Sequence, residues 1–544
     1  MPRTSLRAPA EHGESLIEPR PELMLDALRK NREFFADSSH QLGRSSLTAF
    51  RAAAKKDLLT AAASYSARYR DVSFSDRALL APAEASLVIG GHQPTLFHAG
   101  VWFKNFYLDS LAAASGSLAI NLIIDNDLVG LTKILVPQRT SEGAQFEAVA
   151  FDVVGENLPF EMRPILDAEL FRSFPQRVAR ALGRPYELIA NQLWSLDTET
   201  VGNNLGLRLA AMRHKYEEQA GLRTLELPLS TLSRTKSFAV FFREIARRAD
   251  EFRAVYNRAL FEYRKAYRIR SRSHPVPELE FDGVWTELPF WFWSQAAPQR
   301  KRLFVRATNK GLECTDREGA VILLSGQSFE DEFVALGEAG IAIRPRALTT
   351  TMFVRLAVAD YFLHGIGGAK YDELTGAIMN GFFGLEPPAF GVATATFRLS
   401  NIPESNAQET TNRIDLAASP PALAGEIRKL NETIRNLQYH SERFIDSTDC
   451  IAQELFDRKR MLLDEKPPAG SQREFRQRIR DVNLQLGERL NQLRTSLLSR
   501  RDEAVRELGL ARILDTREAS FALFPPELIK SLRGLSRFRD DPGT

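Results

Sequence analysis

Two histidines six residues apart in a glycine-containing loop are the first residues here whose types and spacing could do chemistry. They lie in Ser86-Leu87-Val88-Ile89-Gly90-Gly91-His92-Gln93-Pro94-Thr95-Leu96-Phe97-His98-Ala99-Gly100. An imidazole can carry a proton or offer a hydrogen bond near neutral pH. The apolar run at 86–90 predicts a short buried strand, and an amphipathic helix is predicted from about Val101 to Ala114. The loop between them therefore holds His92 and His98 at the carboxyl end of a strand, beside a helix N-terminus. Ligands of open α/β sheets sit there, and the helix end favours phosphate or carboxylate. His92 and His98 are candidate catalytic residues. Gly91, Gln93 and Gly100 are candidate ligand contacts. Lys104 is either a phosphate partner or an exposed helical lysine.

A second strand, Ala119-Ile120-Asn121-Leu122-Ile123-Ile124, ends in Asp125-Asn126-Asp127, so the two acids are expected at the same sheet edge. Asp125 and Asp127 could grip a ribose, an amine or a metal, or serve as ordinary turn aspartates. Further on, His364-Gly365-Ile366-Gly367-Gly368-Ala369-Lys370-Tyr371-Asp372 forms a second glycine turn. Gly365, Gly367 and Gly368 would let a ligand approach the backbone closely, although the turn is not a dinucleotide fingerprint. The eight histidines are scattered without zinc-ligand spacing, so no protein-bound metal is predicted.

The elements that must position these residues fit an α/β chain of two or three structural units, since 544 residues exceed one ordinary domain. Hydrophobic residues make up 44% and charged residues 26%, which permits a large core. The net charge of +3, from 72 basic and 69 acidic residues, argues against a nucleic-acid partner. Cys314 and Cys450 are too few for a disulfide framework and fit a reducing cytoplasm. No apolar run approaches the ~20 residues of a membrane span, and Met1 to Glu18 lacks the apolar stretch of a secretory signal. A cytoplasmic protein without membrane contact is expected.

Along the chain, 1–80 reads as an N-terminal helical segment, with two helices within 22–70. Residues 81–134 form the first half of a parallel βαβ core. Residues 135–222 are an inserted subdomain, and 223–245 bring a return strand, Leu225-Glu226-Leu227-Pro228-Leu229, and a loop in which Thr235 or Ser237 caps a long helix running to about Ala266. Lys236 there is either solvated or a phosphate partner. A second, basic and aromatic insertion spans 246–340; its arginines suit either a small acidic substrate or a solvated helix face over a satellite aromatic core. Residues 341–415 supply the second half of the core: a strand at Ile341, a helix over about Met352 to Leu363, the glycine turn, and a last strand at 390–397. In 416–515, Ile427, Leu430, Ile434, Leu437, Phe444, Ile451 and Leu455 form one apolar stripe. Phe475, Ile479, Val482, Leu486, Leu490, Leu493 and Leu497 form another. With Glu465-Lys466-Pro467-Pro468-Ala469-Gly470 between them, the stripes predict an antiparallel coiled-coil hairpin, an arm suited to dimerisation. The tail, 516–544, is expected to pack on the core.

This layout resembles the bacillithiol-biosynthesis cysteine-adding enzymes, a family of cysteine ligases, over nearly the whole chain. Gly91-His92-Gln93 with Leu96-Phe97 is similar to that family's first-strand motif. Ile123-Ile124-Asp125-Asn126-Asp127 stands at its acidic motif, and Arg346 with Gly365-Ile366-Gly367-Gly368-Ala369 resembles its late glycine turn. Phe97-His98-Ala99-Gly100 is also similar to the histidine signature of class I aminoacyl-tRNA synthetases and nucleotidyltransferases, and Ser233-Arg234-Thr235-Lys236-Ser237 weakly to their lysine loop. His98-Ala99-Gly100 replaces the family's Thr-Gly-Pro-like turn, and no histidine separates the two aspartates. The resemblance implies a Rossmann-type parallel-sheet core with inserted connecting subdomains and a C-terminal antiparallel helical hairpin. It also implies joining the carboxyl group of cysteine to the amine of glucosaminyl-malate. A carboxylate needs activation before it forms an amide, so ATP is the expected co-substrate, with Mg²⁺ arriving only with the nucleotide. On this expectation His92 and His98 meet phosphates, Asp125 or Asp127 holds the amine or ribose, and Arg346 with Gly365, Gly367 and Gly368 binds a carboxylate. The alternatives are another adenylate-forming or nucleotidyl-transferring enzyme, or a non-catalytic coiled-coil scaffold.

Overall fold

A buried cluster of charge fixes where the central sheet begins. Asp360 accepts hydrogen bonds from Arg51 (2.7 Å), Lys55 (2.9 Å) and the backbone N–H of Leu87 (2.9 Å). It thereby ties a helix, Leu47–Ser66, to the amino ends of two adjacent strands. In the computed structural model, residues 6–43, 45–140, 143–183, 187–271, 273–319, 321–326, 328–401, 420–444, 449–465 and 471–538 are described. The six strands of this sheet are β1 (Glu14–Glu18), β2 (Leu87–His92), β3 (Leu118–Ile123), β4 (Thr224–Pro228), β5 (Tyr361–His364) and β6 (Phe390–Thr396). Their order is β1-β6-β5-β2-β3-β4. β2 to β6 run parallel, and β1 pairs antiparallel with β6 at one edge. The N-terminal segment, expected to be helical, thus also supplies an edge strand.

Alternate residues of the strands serve both faces. Leu87 and Ile89 join the core under helices Leu47–Ser66 and Lys236–Arg247, while Val88 joins the core under α1 (Ala99–Ser115). Burial on both faces explains why the parallel strands read as continuous apolar runs. β2, α1, β3 and the return strand β4 stand close to their expected places. The order in which strands are added reverses between β2, which is followed outward by β3 and β4, and β5, which is followed on the other side by β6.

Three expectations are corrected. Ile341–Pro345 is not in the parallel sheet; it pairs antiparallel with Thr286–Ser294 at the edge of a second, five-stranded sheet. The second half of the core therefore starts at β5, within a run read as helix. That helix stops early: Ala347–Phe353 passes into a π-turn at Val354–Val358, and Asp360 then starts the strand. The long helix after Thr235 is two helices, Lys236–Arg247 and Ala249–Tyr267, although Thr235 does cap the first by accepting from the N–H of Phe238.

The C-terminal region is helical and contains two packed pairs of helices. Pro420–Tyr439 packs on Asn491–Leu514 through Leu430, Leu437 and Leu497. Cys450–Asp464 packs on Gln472–Arg489 through Ala452, Leu462, Val482 and Leu486. Ile451 and Leu493, which their spacing placed in the stripes, are exposed. The Pro/Gly turn at 466–470 lies outside the described residues, as do 402–415 of the expected second core half. The tail returns to the body as expected: Phe521 packs on Phe97 and Trp102, and Leu528–Ser536 lies against α1.

Candidate functional site

β2 and β5 are neighbours in the sheet; a short loop joins β2 to its helix, and a single residue separates β5 from its own. His98 precedes α1, and Gly365 precedes α2 (Ile366–Phe383). Neither helix has a side-chain cap at its start, so no capping side chain offsets the positive dipole end of either. The reversal of strand order between β2 and β5 opens a crevice of about 850 Å³. Gly91, His92, Gln93, His98, Gly100, Lys104 and Asp127 line it from the first half, and Gly365, Gly367 and Gly368 from the second. Ten of the twelve residues singled out in sequence therefore meet at one cavity.

The glycines do different work. A Cβ on Gly100 would stand 2.1 Å from the carbonyl oxygen of Ala395, so this glycine lets α1 start against β6. A Cβ on Gly365 or Gly367 would meet nothing within 4 Å, so these two open the wall.

The histidines of the first loop are neutral groups. Burial, then the Lys104 ammonium, pushes His92 down to about 3. Its Nδ1 lies 3.1 Å from the carbonyl of Gln93, which can only accept, so Nδ1 carries the proton and Nε2 is left as an acceptor. Burial also lowers His98, against the pull of Glu518, and its Nδ1 is buried without a hydrogen-bond partner. Lys104 is buried, donates to the carbonyl of Gly91 and is pushed down to about 7 by burial and then Arg213. It is not the exposed lysine of a solvated helix. Positive charge at the cavity thus comes from the two helix ends and from Lys104, Arg7, Lys370 and Arg517, the last carried in by the tail.

Two expected site residues lie elsewhere. Asp125 is turned into the protein, where its carboxylate accepts from the backbone N–H (2.8 Å) and hydroxyl (2.5 Å) of Ser230. Arg346 donates to the buried Glu287 at 2.7 Å and stacks on Trp291. Its place at the cavity is taken by Thr350 and Thr351 of the helix it precedes. Asp127 reaches the cavity but is engaged by Gln93 (3.0 Å) and Arg300 (2.8 Å). Lys236 pairs with Asp331 at the surface, away from the crevice. Several arginines of the basic insertion are matched to acids, as in Arg264–Glu278, Arg302–Glu280 and Arg306–Glu313.

Sequence reasoning left out His364, Lys370, Tyr371, Thr394 and Arg517, all of which line the cavity. His364 was legible in the glycine turn. Arg517 carried no signal beyond membership of the tail.

His214, Glu217 and Glu226 bring ligand-type atoms within 4.8 Å of one another behind this wall. Protein groups already engage them: Trp102 and Asn105 donate to Glu217, and Arg213 and Asn121 donate to Oε1 of Glu226. His214 lies between the Tyr69 hydroxyl and the Thr224 carbonyl. Arg213 supplies the positive charge a cation would bring.

Compared with known proteins, the sequence matches no family model and no curated protein.

Proposed function

We propose that the chain is a nucleotide-dependent ligase with a Rossmann-type core, in which a carboxylic acid is activated and passed to an amine. One observation carries this reading: two helices without side-chain caps, following adjacent parallel strands, start at the same cavity. Such an arrangement suits a polyphosphate. The residues present fit ATP. The crevice lies within the ~300–1,000 Å³ usual for small-molecule sites, Gly365 and Gly367 leave room at the backbone, and the buried Nδ1 of His98 lacks a partner. When bound, ATP would supply the leaving group that a free carboxylate lacks.

The chain's own residues would position and neutralise. The two helix starts, Lys104 and Arg517 offset phosphate charge. Nε2 of neutral His92 offers an acceptor for a hydroxyl or amine. Asp127, oriented by Gln93 and Arg300, faces the amine of the acid or acceptor. Mg²⁺ would come with the nucleotide, since Asp127 is the one cavity carboxylate among the described residues and is already engaged.

Within this reading the resemblance to the cysteine-adding enzymes selects cysteine as the acid and a glucosaminyl-malate-like amine as the acceptor. The test is to incubate the protein with ATP, cysteine and glucosaminyl-malate and follow the products by mass spectrometry. An ATP-dependent amide supports the reading; amide formation with other acids only would keep the ligase and remove cysteine. No ATP turnover with any acid and amine pair would remove the ligase as well.

A further inference from the structure

His364 ends β5 at the cavity, with its ring edge-on to Phe362 and Phe390. Its Nε2 stands 3.1 Å from Oδ2 of Asp372, in the second turn of α2, and both residues are buried. Arg355 holds the same carboxylate at 2.7 Å. Burial draws the Asp372 carboxyl upward, but His364 and Arg355 outweigh it and keep it below the usual carboxylate range, so it stays ionised. Nε2 has no other hydrogen-bond partner. The contact is not yet a well-aligned hydrogen bond, as is common in catalytic pairs without substrate. An ionised carboxylate beside Nε2 keeps the ring proton on that nitrogen and leaves the Nδ1 lone pair bare.

Nδ1 lies against Gly368, where a Cβ would come within 2.7 Å of it. A glycine at this point of the helix start leaves Nδ1 uncovered.

We propose that Nδ1 of His364, set by Asp372, is the general base that deprotonates the amine nucleophile. The proposal rests on the ligase reading. The amine nitrogen attacks the activated carboxyl carbon and the N–C bond forms. The C–O bond to the leaving group breaks with its electron pair remaining on that oxygen, and the amine proton passes to Nδ1. Asp372 stabilises the resulting imidazolium, and the proton leaves through the cavity. His92 is a poorer base because its environment disfavours protonation, and Asp127 is held by Gln93 and Arg300.

The test compares wild type with His364→Gln, Asp372→Asn and Gly368→Ala, each checked for native circular dichroism. Three quantities are read: ATP-dependent activation of the acid without acceptor, amide formation with acceptor, and the His364 tautomer by nitrogen NMR. His364→Gln should keep activation within about threefold while amide formation falls by about 100-fold or more. Gly368→Ala, whose Cβ would crowd Nδ1 at 2.7 Å and force the ring to shift away from it, should cause a loss of the same kind. Wild type should show the proton on Nε2, and Asp372→Asn should move it to Nδ1 and lower amide formation. Unchanged amide formation in His364→Gln, or a wild-type ring protonated on Nδ1, overturns the proposal. If wild type fails to activate any acid, the ligase reading falls. The dyad is then judged on the tautomer alone, and a ring unmoved by Asp372→Asn overturns it too.

Discussion

Asp125 and Asp127 stand two residues apart and have different duties. Asp127 is drawn to the cavity by Gln93 and Arg300. Asp125 is buried against Ser230, and burial, then the Glu161 charge, raises it to about 7 against the hydrogen bonds from Ser230. A carboxyl raised from 3.8 binds its proton more tightly in the folded state, so its contribution to stability is complete below about pH 4 and is lost as pH rises to 7. Asp125→Asn removes that titration. In urea unfolding, the variant should gain on wild type between pH 4.5 and pH 7, with nucleotide affinity unchanged; parallel curves, or lost affinity, would contradict the assignment. The sequence showed that acids end the second strand but not which one turns inward, because Ser230 and Arg300 reach them from distant segments. Arg346 was misplaced for the same reason: its partner Glu287 lies 59 residues away and fixes it in the second sheet.

The elements themselves were easier to read than their partners. β2, α1 and β3 carry patterns that suffice locally, apolar strands on either side of a helix that ends at a left-handed Gly116. β5 was hidden because Val354–Leu363 is almost uniformly apolar, and short apolar runs do not distinguish strand from helix. The break is set by Asp360, whose role depends on Arg51 and Lys55 some 300 residues earlier. Ile341–Pro345 is a strand as expected, but nothing local says that its neighbour is Thr286–Ser294.

At the element scale, the start of α2 can be tested separately from its stability. Gly367→Asp places a carboxylate in open space at a helix N-terminus, which should stabilise the fold by about 0.3–1 kcal/mol while repelling phosphate. A melting temperature equal or higher, with ATP affinity at least about tenfold weaker, is the expected pair of results. Unweakened binding would mean that the helix start does not face the nucleotide.

At the scale of the molecule, the sheet order and the tail decide the geometry. A parallel sheet whose strand order reverses between β2 and β5 brings two loops about 270 residues apart to one rim, and the tail closes the same rim by docking Phe521 on Phe97 and bringing Arg517 beside Thr394. The apolar strands and glycine turns were legible in the sequence, but the strand order and the docking of the tail depend on packing over long separations. The most direct measurement is titration calorimetry of a non-hydrolysable ATP analogue against wild type and the double variant His92→Ala/His98→Ala. Saturable one-to-one binding to wild type, weakened by about tenfold or more in a folded double variant, is expected. No binding to wild type, or equal affinity in both, would contradict a nucleotide site at the junction of β2 and β5.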